Sequence, residues 1–309
     1  MLGSPTSEAI EICSPSDRPE ALNILYRQID PDIRPIVIQD ALSNLRSGII
    51  DFSGLWIAKR RGTIIGVLLT QQLAGKAAAV WAPEVQEGWG RATTARRLLA
   101  EALRDFRAKG VRIAQALVDP SGPPQAALDL KRGGLPFITE LHYMKRLTAK
   151  PILLIPPSIT IQWDSYRTET RDQFQEILKS TYIGSLDMPE LEGTRSLDEV
   201  IEGHKAVGRF YPQRWQIGIL EENPRAAIIL LLSDTPGKDA FEITYLGLTP
   251  QARGRGLGLI TLDYARKQAE PLVDRLELAV DIRNIPAMKL YKKAGFRVFT
   301  KRLVHIALL

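Results

Sequence analysis

The chain holds a single cysteine, Cys13, so no intrachain disulfide can form and no cysteine cluster can bind a metal. Its three histidines, His142, His204 and His305, stand far apart in sequence, which argues against a histidine-based zinc site, and no metal is expected. Long apolar runs are missing too. The longest, Ala226–Leu232, is far too short to cross a bilayer. The first residues, Met1-Leu-Gly-Ser-Pro-Thr-Ser-Glu8, show no basic stretch followed by an apolar one, so no secretion signal is read. A soluble, cytoplasmic protein without a membrane partner is expected.

What is present is an ordinary globular composition, 45% hydrophobic and 25% charged over 309 residues. That length suggests two domains of roughly 150 residues. The net charge of +6 favours an anionic partner. Its basic residues come as scattered doublets, Arg60-Arg61, Arg96-Arg97, Lys145-Arg146 and Lys292-Lys293. A nucleic-acid footprint usually clusters and interleaves with aromatics, so solvated surface charge is the better reading and no nucleic-acid partner is expected. The stretch Thr148–Ser158, with Pro151, Pro156 and Pro157, reads as an extended linker, because proline lacks a donor and restricts its predecessor. It divides the chain into 1–150 and 151–309.

The second half alternates strands and helices. Strands are expected at Ile159–Trp163, Arg214–Leu220, Ala226–Leu232, Phe241–Leu248, Arg275–Val280 and Phe296–Ile306. Helices are expected at Arg171–Thr181, at Leu197–Val207 with Ser196 and Glu199 as a capping box, from the glycine-rich turn Gln251–Gly258 to Ala269, and at Pro286–Ala294. The unbroken run Ala226–Leu232 predicts a strand covered on both faces. The first half repeats the later part of this order, with strands at Leu55–Ala58, Thr63–Leu69, Ala77–Trp81, Val111–Val118 and Phe137–Leu147 and helices over Ala95–Phe106 and Pro124–Arg132. Two further helices are expected upstream, at Arg18–Gln28 and Ile36–Arg46. The repeat signals duplicated domains.

Gly254, Gly256 and Gly258 follow a strand and open a helix. Glycines permit positive φ and close backbone approach. The first amides of a helix lack intrahelical partners and point outward with the positive end of its dipole, which suits a pyrophosphate. Arg253 and Arg255 add charge. Neither a Walker loop nor a dinucleotide fingerprint fits this spacing.

Gln251-x-x-Gly254-x-Gly256 resembles the signature of the GNAT superfamily of N-acetyltransferases, and Asn284-x-x-Ala287-x-x-Leu290-Tyr291-x-x-x-Gly295-Phe296 resembles that family's second motif at the right distance. The resemblance implies an α/β (α+β) fold of two tandem GNAT-like domains. Each would have a mixed, mostly antiparallel central sheet flanked by helices. It further implies acetyl-CoA as co-substrate and direct transfer of its acetyl group to a primary amine. By the same resemblance, the amides of Arg253, Gly254, Arg255, Gly256, Leu257 and Gly258 would hold the CoA pyrophosphate. Backbone at Leu246, Gly247 and Leu248 would pair with the pantetheine arm, and Asn284 would touch that arm. Tyr291 would be the general acid for the leaving thiolate, phenol and thiol having similar pKa values. Glu242, on a strand face shared with Thr244, Leu246 and Leu248, is the best candidate base, directly or through water; the ordinary alternative is an exposed strand-start glutamate. His204 is a second candidate that reads better as a surface helix histidine.

In the first half, Ala82–Gly90 parallels Thr249–Gly256, with one residue inserted in the first copy or lost from the second. Glu87 then stands opposite Arg253, where a carboxylate repels a pyrophosphate. Leu130 stands opposite Tyr291, and Ser121-Gly-Pro-Pro replaces the region of Asn284. A degenerate, non-catalytic GNAT-like domain is expected there, with residual CoA binding left open by Gly88 and Gly90. Tandem halves with an active second copy resemble mycothiol synthase and its relatives in architecture. For the acceptor, Asp187, Glu190 and Glu192 could attract a cationic amine while Phe210, Tyr211 and Trp215 line a pocket; a polar loop over an aromatic cluster is the plainer reading. The partner would be a small-molecule or peptide amine, the protein a monomer or homodimer. The main alternative is a CoA-binding regulator or scaffold without turnover.

Overall fold

The computed structural model describes residues 8–48, 50–88, 90–153, 159–235, 237 and 239–309. Of the expected linker, Pro156 and Pro157 lie outside the described residues. In chain order the elements are β1 Ala9–Ile12, α1 Arg18–Leu25, α2 Arg34–Arg46, β2 Leu55–Arg60, β3 Thr63–Leu73, β4 Ala77–Val80, β5 Glu84–Val85, α3 Arg91–Ala108, β6 Ile113–Val118, α4 Pro124–Arg132 and β7 Phe137–Leu147. There follow β8 Ile161–Ser165, α5 Arg171–Tyr182, α6 Leu197–Lys205, β9 Trp215–Leu220, β10 Asn223–Asp234, β11 Ala240–Leu248, α7 Leu257–Ala269, β12 Arg275–Asp281, α8 Ile285–Lys293 and β13 Arg297–Leu308. Every expected strand and helix has a counterpart. The short strands β1 and β5 carry too little alternation to be read from sequence.

The contacts define two compact units, one from the residues up to Ile138 together with Leu303–Leu309, the other from Thr139–Arg302. The first unit's sheet runs β1-β2-β3-β4-β6 and is closed by residues 303–308 of β13, antiparallel to β6. Its core forms under α3, whose Ala95, Leu98, Leu99, Ala102, Leu103 and Phe106 fall on one helical stripe and are all buried.

The second unit's sheet runs β8-β9-β10-β11-β12 and is closed by residues 141–147 of β7, antiparallel to β12. All its pairings are antiparallel except β11 with β12. The fold is thus mixed α/β, with mostly antiparallel sheets flanked by helices. β10 is buried on both faces, as its apolar run predicts. Leu230 and Leu232 pack toward α7, whereas Ile229 and Leu231 pack toward α5 and α6. Ser196 caps α6 in the expected capping box, with the Glu199 amide 3.2 Å from its hydroxyl and the Ser196 amide 2.8 Å from the Glu199 carboxylate.

One departure concerns side-chain direction in β11. The β10–β11 register passes from Leu232↔Ile243 to Leu231↔Tyr245, leaving Thr244 as the extra residue of a β-bulge. A bulge reverses the alternation beyond it. Glu242 therefore shares its sheet face with Tyr245 and Gly247, not with Leu246 and Leu248 as strict alternation implies. The latter two lie on the face of Ile243.

Candidate active site

β11 and β12 pair over only three positions, Ala240↔Arg275, Phe241↔Leu276 and Glu242↔Glu277, and then part. Among the described residues, β11 from Ile243 to Leu248 keeps only β10 beside it, and β12 beyond Glu277 keeps only β7. Main-chain groups on the two facing edges are left without a strand partner, a state tolerated where a ligand or water can satisfy them. Between them opens a cavity of about 870 Å³, walled by Ile243–Leu248 of β11, Ala279 and Val280 of β12, the turn Arg253–Gly256, the start of α7, and Asn284 and Tyr291.

The turn is built by its glycines for two different reasons. Gly254 and Gly256 have φ of +74° and +77°, and a Cβ on either would meet nothing within 4 Å. Conformation, not space, asks for glycine there. Gly258 is not in the left-handed region: its Cβ would lie 2.7 Å from Leu290 Cδ2, so its role is to let α7 lie close to α8. Gly256 is the N-cap of α7 and no side chain caps the helix, so its first amides face the cavity with the positive end of the dipole.

The two arginines of the turn are not free charges. Arg253 donates to four main-chain carbonyls, those of Leu248 (3.1 Å), Ile183 (2.7 Å), Gly184 (3.3 Å) and Thr181 (2.8 Å), tying the end of α5 to the end of β11. Arg255 pairs with Glu222 at 2.6 Å on the surface. Gln251 sits in a 3-10 turn outside the cavity wall. Replacing Arg253 by alanine should lower stability by about 1 kcal/mol through the lost bonds to carbonyls that water can partly satisfy. Thermal unfolding would register this, and lysine should not rescue it, because an ammonium cannot fork to carbonyls on both sides.

Tyr291 lines the cavity from α8 and is 8% exposed, with its ring edge-on to Phe296 at 5.8 Å. Burial, and secondarily the Asp187 carboxylate, push its phenol pKa well above the ordinary value. The expected near-match between phenol and thiol is thereby lost, and the proton is held more tightly. Asn284 is the N-cap of α8, its Oδ1 accepting from the Ala287 amide at 3.2 Å. It also borders the cavity, so one residue both starts the helix and faces the opening.

Glu242 is half-buried at the last paired position of β11 and does not line the cavity wall. His204 is half-buried on α6, not a fully exposed surface histidine. Its ring lies 5.6 Å from that of Tyr245 and 6.5 Å from that of Trp215, and burial, helped by Arg195, pushes its pKa down to about 4. Trp215 is fully buried with Tyr166 and Phe174 in the core under α5, so it cannot line an acceptor pocket. Phe210 packs against that same core, and Tyr211 lies under the guanidinium groups of Arg209 and Arg214. Of the three acidic candidates, Glu190 is bonded to Arg283 at 2.5 and 3.0 Å, Glu192 is exposed, and Asp187 lines the cavity.

Sequence reasoning passed over Tyr245, whose hydroxyl lies 2.7 Å from Thr181 Oγ1. A Cβ on Gly247 would come within 2.6 Å of its ring, so Gly247 makes room for it. The i, i+2 spacing of Tyr245 and Gly247 was the available signal.

The first unit holds a reduced counterpart. Gly90, φ +88°, starts α3 without a side-chain cap. The hollow beside it is about 350 Å³. Arg91 forks to both oxygens of the buried Asp129 at 3.0 and 2.7 Å, and Gln125 joins them at 2.8 Å. Leu130 is wholly buried in the core.

Residues 172–296 match the family model described as acetyltransferase (GNAT) family. No curated protein matches the chain by sequence. Among solved structures, a GCN5-related N-acetyltransferase from Sphaerobacter thermophilus is similar at 17% identity and a TM-score of 0.56, over 98% of this chain and 96% of that one. A GCN5-related glucosamine N-acetyltransferase region of a fungal multi-domain GH3 beta-N-acetylglucosaminidase is similar at 15% identity and a TM-score of 0.60, over 98% of this chain and 38% of that one. A GCN5-related N-acetyltransferase from Kribbella flavida follows at 14% identity and a TM-score of 0.50, over 78% and 86% of the two chains. At these identities the likeness is one of fold.

Proposed function

We propose that this chain, whose residues 172–296 match the acetyltransferase (GNAT) family model, moves the acetyl group of acetyl-CoA to a primary amine by direct attack, in the unit formed by Thr139–Arg302. One observation carries the reading: two strands part beside an uncapped helix start, leaving a row of free main-chain groups that ends in a cluster of amides. A pantetheine arm is an amide chain and pairs with a strand edge as a peptide does. A pyrophosphate suits the α7 amides. In this reading the amides of Gly254–Gly258 grip the diphosphate and the edge of Leu246–Leu248 holds the arm. A β11 amide then polarises the thioester carbonyl and stabilises the oxyanion that forms on attack. Tyr291 hands its proton to the departing sulfur. Its raised pKa makes that transfer uphill alone, so the phenol takes up a proton from the attacking nitrogen in the same event. Glu242, away from the cavity wall, would act only through water.

The segment 1–150 is proposed to be non-catalytic. The Arg91–Asp129–Gln125 cluster beside its helix start and the aliphatic Leu130 support this reading. The test is thiol release from acetyl-CoA across a panel of amines. Release that needs both substrates is expected. Tight acetyl-CoA binding with no release on any amine would instead point to a CoA-binding regulator.

A further inference from the structure

Asp187 is the only carboxylate among the described residues lining the cavity, where the cations are Arg253, Arg255 and Lys293. It shares the cavity wall with Tyr291 of α8, the proposed proton donor, and Tyr245 of β11. Asp281 and Arg283, at the end of β12, face it as well, and so does the Asp281 main-chain amide. The loop that carries Asp187 is tethered. Arg283 forks to Glu190 at 2.5 and 3.0 Å and reaches Asp281 at 2.7 Å, and the fully buried Asp281 also accepts from Thr139 at 2.7 Å. That tether commits Glu190 and leaves Asp187 as the cavity's acidic group.

We propose that Asp187 receives the acceptor, holding its ammonium group and removing its proton, and that the acceptor is a compact amine with a single positive charge. The proposal rests on the acetyl-transfer reading. With Arg255 already paired to Glu222, one carboxylate in a wall that also carries Arg253 and Lys293 matches one ammonium; the further charges of a polyamine would find no carboxylate partner there and would meet like charge. The apolar neighbours Leu186 and Leu246 suit a hydrophobic remainder. Asp187 is exposed as a residue and so open to an incoming amine, while desolvation of its carboxyl group against the cavity wall raises its pKa, which makes it a stronger base than an ordinary aspartate. In the reaction, the carboxylate takes one proton from R–NH3+, and the nitrogen lone pair forms the C–N bond to the thioester carbon. As the C–S bond breaks, the second nitrogen proton passes through the Tyr291 hydroxyl to the sulfur. Asp187 then releases its proton to water, so that ammonium and thioester give amide, thiol and one proton.

The experiment compares wild type, Asp187→Asn and Asp187→Glu. It reads acetyl-CoA affinity by calorimetry, and thiol release across pH with phenethylamine and spermidine as probes. Asp187→Asn should keep acetyl-CoA affinity, which also reports a folded site. It should lose about 100-fold or more in kcat/KM for phenethylamine and lose the acidic limb of the pH profile. Asp187→Glu should recover part of the activity, and phenethylamine should outrank spermidine. Turnover untouched by Asp187→Asn, equal loss of acetyl-CoA binding in that variant, or preference for spermidine overturns the proposal and leaves acetyl transfer standing. A wild-type protein that releases no thiol from acetyl-CoA with these or any other amine of the panel overturns both.

Discussion

Replacing Gly256 by glutamate should cost the protein its affinity for acetyl-CoA while leaving it folded. A Cβ at this position meets no neighbour, so the fold is charged only for the left-handed backbone, φ +77°, about 1–2 kcal/mol for a residue with a side chain. The new carboxylate projects into the space where the α7 amides converge. A like charge about 4 Å from a phosphate costs roughly 4 kcal/mol at an effective dielectric of 20, which is close to a thousandfold in affinity. Calorimetric titration should show at least a hundredfold loss. The matching change in the first unit, Gly90→Glu, has the same backbone cost at φ +88° but should leave the measured affinity nearly unchanged, because the proposed donor site is not there. Equal losses from the two substitutions would assign acetyl-CoA to the first unit as well.

Tyr291→Phe should separate chemistry from binding. The ring packs against Phe296 and belongs to the core beneath α8, so phenylalanine preserves the buried surface. Only the hydroxyl is lost. Acetyl-CoA affinity should hold while kcat falls about 100-fold, the range for losing a positioned proton donor. Because burial raises this phenol's pKa, the group stays protonated through and above the neutral range. The wild-type rate should therefore show no alkaline decline from Tyr291 near the ordinary phenol value of about 10. Full turnover in the phenylalanine variant would remove Tyr291 from the mechanism.

How much of this was legible beforehand depended on whether the cause was local. Gly254 and Gly256 announce themselves because a positive φ selects a residue type at that position. Ser196 and Glu199 do so because a capping box is closed within one turn of helix. The run Ala226–Leu232 predicted a doubly covered strand because burial writes itself directly into composition. Arg253 misled, since its partners are main-chain carbonyls near residues 181–184, and carbonyls have no sequence signature. The bulge at Thr244 was invisible because Glu242, Thr244, Leu246 and Leu248 alternate as a regular strand would; only the partner strand's register reveals the extra residue. His204 and Trp215 were misread because burial by distant elements, not helix or strand pattern, decides their surroundings. Asp187 was one of three acidic candidates, and what singles it out is an arginine almost a hundred positions later in the chain that occupies Glu190.

The closing strands have a consequence for any attempt to take the protein apart. Residues 141–147 pair with β12, and residues 303–308 pair with β6. A polypeptide started at residue 151 would therefore lack the strand that borders β12, exposing a raw edge prone to aggregation. One stopped at residue 150 would leave β6 in the same condition. Neither fragment should be soluble by itself, whereas the two produced together could restore each other. A chain wired in this manner is hard to divide: deletion of either segment would take away a closing strand of the other segment's sheet.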